Sequence, residues 1–449
     1  MKAQRKALNR RETYWEWGFL VFIFLFYLIW SCCSPFDSAP DERMRYDIPK
    51  FIYETGRLPL GQEEAIRDEV WGISYAFNPI LSYMISALFM KAASIFSKAD
   101  YVLLMAARMV SILFGTGTAW LTIKISKKLL TGSYRWLFIC LVTLLPQMAY
   151  TSTYVNNDAM AIFSTAWIFY MWILGLETDW NWQSCLGLAV GVSLCTLSYY
   201  NAYGFILCSI VFFAFTCSFC TKKSPDFKTM WKKGLGITII VLIFAGWWFI
   251  RNAILYQNDF LGMKTSSYYA QLYAQDPFKP SNRMTYQKMG VNFFQMLLSE
   301  GWFHNTKYSF IACFGYATIN LPGPLYHLYL IPFGLGVFGV LLRFSALFRL
   351  RREKRWVKKN ILHLCMLTAV IIPFILSAYY SYVSDYQPQG RYILPCLLPA
   401  MYFVVIGLKE LLLPFMSEKT IIWMCRGYCV VLAALAIFSF AGVFYPAYH

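Results

Sequence analysis

Charge is scarce in this chain. Only 14% of its 449 residues are Asp, Glu, Lys or Arg, while 58% are hydrophobic. A soluble domain carries about a quarter charged residues, so a water-soluble globule of this length is excluded. Histidine is scarcer still: His304, His327, His363 and His449 are scattered, and no Cys/His cluster has zinc spacing. No asparagine stands in an Asn-x-Ser/Thr acceptor, which fits a bacterial protein. Thirteen cysteines would suggest a disulfide framework only outside lipid. Cys140, Cys195, Cys208, Cys365, Cys396 and Cys429 sit within apolar runs and read as small core residues.

What the chain does have is long apolar runs. They fall at 18–34, 76–96, 103–123, 136–153, 159–176, 184–199, 203–220, 235–250, 325–342, 361–379, 392–412 and 420–443. Most approach the length that crosses about 30 Å of hydrocarbon, which predicts an all-α, polytopic transmembrane protein. The basic start "MKAQRKALNRRETYWEW" lacks a small-x-small cleavage site, so the first run reads as a retained span.

The net charge of +17 could suggest nucleic acid, but its distribution does not. Basic residues collect before the first run and at 124–135, 221–233 and 343–359, the pattern of cytoplasmic loops. If every run crossed, 124–135 would face outward. The conflict disappears if 76–96, with Lys91, Asn78-Pro79 and several serines, lies in the interface or re-enters. About 11 spans are therefore expected, with a cytoplasmic N-terminus. The chain reads as one transmembrane domain, 1–449, with large outer loops at 35–102 and 251–324 and no separate soluble domain.

On this topology the unusual polar residues gather on the outer face. Asp37, Asp41 and Glu42 follow the first span. Asn157 and Asp158 precede the fourth, Arg251 ends the seventh, and Gln389, Arg391 and Tyr392 lead into the tenth. Ionisable groups near lipid are costly, so such a gathering is a candidate site. Carboxylates can take a proton from an attacking hydroxyl, and arginines can hold a phosphate by forked hydrogen bonds. Together they suit group transfer from a lipid phosphate to a hydroxyl. Each also has a plainer reading: Asp37 and Asn157-Asp158 as helix caps, Asp41 and Glu42 as partners of a helix dipole, the arginines as interfacial anchors. Four such segments on one face favour a site.

The motifs "PF…PDE", "NND", "GWWFIRN…LYQND", "SFIACFGYATINLPGPLY" and "QGRYILPCLLPA" occur in that order along nearly the whole chain. The set resembles a bacterial multi-spanning family of the GT-C glycosyltransferase superfamily, related to protein O-mannosyltransferases and aminoarabinose transferases. That resemblance implies a GT-C-like fold whose long first outer loop contains juxtamembrane helices. It implies inverting transfer of a sugar from a polyprenyl-phosphate donor to a glycan, lipid or protein hydroxyl, at the outer face of the bacterial cytoplasmic membrane. Asp41 would be the base, with Asp37 as alternative; Glu42 would orient acceptor or sugar, and Asp158 and Asn157 would support them. Arg391, or Arg251, would hold the phosphate, with Gln389 and Tyr392 lining the pocket. Where relatives carry a histidine after the acidic pair, Arg45 stands here, and "FNPILSY" loosens a Pro-Pro-Leu pattern. The carboxylates and amides also suit Mg²⁺ or Mn²⁺, but a metal-free site is expected. Two other classes remain: a lipid-linked-sugar flippase, and an O-antigen-ligase-like polymer transferase working through His304.

Overall fold

The structure, a computed structural model, describes residues 2–221, 225–344 and 354–449. Parts of two basic clusters, 222–224 and 345–353, lie outside the described residues. Among the described residues the chain is helical nearly throughout, and its β structure is one short antiparallel hairpin, Cys313–Phe314 against Ile319–Asn320.

Nine described helices are long and apolar enough to cross a membrane, from Glu12–Cys33 to Glu418–Tyr448. The protein is a multi-pass membrane protein of the expected all-α class. Two of the eleven expected spans are shorter. Run 136–153 is broken into Ser133–Thr143 and Pro146–Thr151, with a proline opening the second piece. Run 184–199 forms Trp182–Thr196, 15 residues long, against the roughly 20 that a full crossing takes. Run 76–96 contains only the 13-residue helix Leu81–Ala93, too short to span.

The long helices pack through small residues where their backbones meet. Gly336 and Gly339 of Gly323–Leu342 face Gly407 of Leu397–Leu412 so closely that a Cβ there would strike the opposite carbonyl. Such contacts bring helices together where lipid supplies no hydrophobic drive. Phe227–Leu255, by contrast, is largely unburied and presents apolar side chains outward.

The helix Asp158–Thr178 fixes the polarity of the molecule. At its far end Glu177 pairs with Lys128, and Asp179 accepts from Lys358 at 2.8 Å. Glu16 of the first helix joins that level through Lys127 at 2.5 Å and Arg135 at 2.8 Å. The basic segments 124–135 and 354–359 therefore meet the N-terminal region at one end. Asp158 lies at the other end, about 30 Å away for a helix of 21 residues. The segments 34–99 and 256–322 cover this second end. Gln275 N–H donates to the Val70 carbonyl at 3.1 Å, and Tyr269 stacks on Phe77 with ring centroids 5.9 Å apart. The tyrosine-rich stretch of 256–322 thus packs against 34–99.

Candidate active site

The turn after the first helix carries the acids. Asp37 and Asp41 both have left-handed backbones, φ 61° and 62°, a conformation that aspartate tolerates better than most side chains. Asp41 stands at the N-cap position of the helix Glu42–Thr55 but makes no side-chain cap bond. The cap is supplied from upstream, where Asp37 accepts the Arg43 N–H at 3.2 Å and the Arg43 Nε at 3.0 Å. The Tyr316 hydroxyl also donates to Asp37 at 2.7 Å. Asp41 is thereby free to turn toward the protein.

Three groups meet the Asp41 carboxylate. Arg391 Nη2 donates at 2.9 Å, the Tyr75 hydroxyl donates at 3.1 Å, and Arg45 Nη2 stands at 3.7 Å. Burial opposes the carboxylate's charge, but the guanidiniums of Arg391 and Arg45, with the bonds from Arg391 and Tyr75, outweigh it. They hold Asp41 below the usual carboxylate range. Burial pushes the Tyr75 phenol far above its ordinary value, so Tyr75 remains a donor.

Arg391 reaches this point because of the residue before it. Gly390 opens the 3-10 turn Gly390–Cys396, and a Cβ there would collide with the Phe310 backbone. The glycine lets the turn press on the helix Trp302–Ile311, where Gly390 N–H donates to Ser309 Oγ at 2.8 Å. Arg391 Nη2 also donates to the Tyr392 hydroxyl at 3.0 Å, and that hydroxyl donates in turn to Gln387.

Arg45, wholly buried on the helix Glu42–Thr55, links two carboxylates. Its Nη1 donates to Asp158 at 2.9 Å and to Asn157 Oδ1 at 3.1 Å, and its guanidinium lies 4.8 Å from the Tyr75 ring centre. Burial disfavours its charge, but Asp158, with Tyr83 and Tyr75, more than offsets that, so its pKa rises well above the ordinary value. Among the described residues, Nε and Nη2 of Arg45 and Nε of Arg391 are buried without a hydrogen-bond partner. Asn157 and Asp158 leave the capping of their helix to Asn156, whose Oδ1 accepts the Ala159 N–H at 2.8 Å.

Asp41, Asp158, Asn157, Arg45, Arg391 and Tyr392 thus come together from three distant segments. Glu42 stands apart. It is wholly buried, and Arg108 holds both of its oxygens at 2.8 Å. The N–H groups of Asp37 and Val155 also donate to it, at 3.1 and 3.2 Å. The sequence led to the expectation that Glu42 orients acceptor or sugar; a carboxylate so enclosed instead anchors the turn that carries Asp41. Arg251 is likewise committed: it donates to the Pro59 carbonyl at 2.5 Å and stacks over Trp248. His304 is exposed and lies against Tyr308, with ring centroids 4.7 Å apart. Gln389 contributes its backbone carbonyl to the turn, accepting the Tyr392 N–H at 3.3 Å. Sequence reasoning missed Tyr75 as a member of the site. Arg108 is a charge within the apolar run 103–123, the signal by which a buried acidic partner could have been found.

No three metal-binding side chains gather among the described residues. The two carboxylates of the site each face a guanidinium, and this donor set does not fit a divalent cation.

No protein-family model matches the chain, and no curated protein matches it. Solved structures do. The oligosaccharyltransferase of Archaeoglobus fulgidus, in its apo form, aligns with 95% of this chain at a TM-score of 0.55 and 11% identity, over 55% of its own length. The same organism's oligosaccharyltransferase AglB, in complex with an inhibitory peptide and a dolichol-phosphate, aligns with 96% at 0.53 and 12%, again over 55% of its length. ArnT of Cupriavidus metallidurans, bound to undecaprenyl phosphate, aligns with 95% at 0.51 and 12%, over 70% of its length. A further structure of the archaeal enzyme is a complex with Zn and sulfate, at 0.51 and 12%. This chain spans about half the length of the oligosaccharyltransferases it matches. The likeness to the archaeal oligosaccharyltransferase and ArnT structures is one of fold.

Proposed function

We propose that the chain is a GT-C glycosyltransferase, which moves a sugar from a polyprenyl-phosphate donor to a hydroxyl acceptor with inversion. The observation that carries this reading is the contact between Arg391 and Asp41, a phosphate-binding group held on a proton acceptor. The fold neighbours' complexes with dolichol-phosphate and undecaprenyl phosphate support a lipid phosphate as the leaving group.

The acceptor oxygen attacks the anomeric carbon, and its proton passes to Asp41. The bond from that carbon to the phosphate oxygen breaks, and the electron pair leaves with the lipid phosphate. Arg391 receives the developing charge, helped by the unpartnered N–H groups of Arg45. When Arg391 turns toward the phosphate, Asp41 loses its strongest counter-charge and becomes a better base, so donor binding readies the proton acceptor. Asp158 and Asn157 hold Arg45, and Glu42 with Arg108 fixes the turn. The acceptor is a glycan, lipid or protein, and the site faces outward from the bacterial cytoplasmic membrane.

The test is turnover by the purified chain with a panel of polyprenyl-phosphate sugars and envelope acceptors, read as release of lipid phosphate. Sugar-dependent release is expected, falling by about 10²–10⁴-fold in Asp41→Asn. Release that survives in Asp41→Asn but not in Asp37→Asn transfers the base to Asp37. Loss with His304→Ala alone replaces the reading with a ligase.

A further inference from the structure

Arg45 occupies the position between the two carboxylates of the site. We infer that Arg45 is a resident cation, a fixed guanidinium that does for Asp41 and Asp158 what a divalent metal would otherwise do. The transfer centre on this account is built to work without a metal ion.

The charges balance without one. Asp41 and Asp158 contribute two negative charges, and Arg45 and Arg391 two positive ones, all within one hydrogen-bonded cluster. A divalent ion added between the carboxylates would stand against two guanidiniums. A metal also needs ligand oxygens turned toward a common point. Here Asp158 Oδ2 and Asn157 Oδ1 both turn to Arg45 Nη1, and Asp41 Oδ2 turns to Arg391 and Arg45. Arg45 cannot swing aside to make room: it is fully buried and stacked on Tyr75.

The guanidinium also differs from an ion in what it can offer a ligand. Nε and Nη2 of Arg45 lack a hydrogen-bond partner among the described residues although they are buried. Buried donors are costly to leave unpaired. They are directed donors of the kind that suit a phosphate oxygen, so Arg45 can hold the carboxylates and contact the donor at once.

This inference deepens the proposed transfer function, but its main readout is cation binding, so either can fail without the other. The experiment titrates Mn²⁺ into the purified full chain and follows bound ion by electron paramagnetic resonance. Wild type, Arg45→Ala, Arg45→Lys and the double variant Arg45→Ala/Asp158→Asn are compared, with melting curves to establish folding. Wild type and Arg45→Lys are expected to bind no stoichiometric ion. Arg45→Ala, which exposes the carboxylate pair and leaves space, is expected to gain Mn²⁺ affinity on the order of a hundred-fold. The double variant is expected to lose that gain. Stoichiometric Mn²⁺ on the wild type that disappears in Asp41→Asn overturns the inference, as does a folded Arg45→Ala that gains nothing. Should Arg45→Ala not fold, the wild-type titration decides alone: no bound ion supports the inference and a bound one overturns it.

Discussion

Glu42 and Arg108 lie 66 residues apart and meet as a two-bond fork with both contacts at 2.8 Å. Arg108 spends its remaining N–H groups on the carbonyls of Ser31, Ser34 and Pro35, at 2.9, 2.7 and 3.0 Å. One guanidinium therefore ties the end of the first span to the helix that begins at Glu42. Breaking a buried pair from one side leaves an uncompensated charge. Glu42→Gln or Arg108→Leu is expected to cost about 3–5 kcal/mol, measured by unfolding in detergent. The double replacement Glu42→Met/Arg108→Met should cost less than either single change; equal or greater loss would contradict the pairing account.

Asp41 is held below its ordinary value, and the sign of the effect follows. A depressed carboxylate adds stability that is present above its unfolded pKa and lost as pH falls through the folded one. Loss of kcat/KM on the acid side should therefore begin below the ordinary carboxylate value of about 4. Arg391→Gln removes the strongest lowering influence and should move that acid limb upward, whatever it does to the maximal rate. A limb unmoved by Arg391→Gln would show that the titrating base is another group.

Asp47 behaves in the opposite sense. Burial raises its pKa to about 6, against the partial relief offered by Lys50 and Arg43. The unfolded chain releases this proton first, so stability falls as pH rises from the ordinary carboxylate range to about 6. Asp47→Asn should raise the melting temperature at pH 7 and leave it little changed at acid pH. Because Asp47 is partly exposed, solvent screening keeps the gain modest.

The two ends of the helix Asp158–Thr178 should face opposite sides of the membrane. In a chain cleared of reactive native cysteines, Lys128→Cys should react with an impermeant thiol reagent from the inner side only. A cysteine at Tyr316, which is exposed beside Asp37, should react from the outer side only. Labelling of both from one side would refute the separation.

Much of this was legible in the sequence because the signals were local. Apolar runs report spans directly, and the brevity of 76–96 was foreshadowed by Lys91 and Asn78-Pro79. Asp41, Asp158, Asn157 and Arg391 belong to three of the four polar motifs that the sequence puts at one membrane level. What local spacing cannot report is which of several neighbouring charges finds which distant partner. Glu42 and Asp41 are adjacent in the chain, yet one is sealed against Arg108 and the other turns to Arg391. Arg251 and Arg391 both border apolar runs, yet Arg251 is spent on a backbone carbonyl. Tyr75 carried no mark distinguishing it from the many interfacial tyrosines.

The turn that bears Asp41 is also tied to Tyr448 and His449, far along the chain. The Tyr448 hydroxyl donates to the Ser38 carbonyl at 3.0 Å, and His449 lies 2.9 Å from the Cys33 carbonyl. Ser38 and Tyr448 are 410 positions apart. The first helix is synthesised well before Tyr448 and His449, and its following turn gains the two supports only once the helix Glu418–Tyr448 is in place. While the helix Glu418–Tyr448 is unplaced, the turn holds Asp37 and Asp41 without these two supports, so the frame around the acids reports on the packing of a residue 410 positions away.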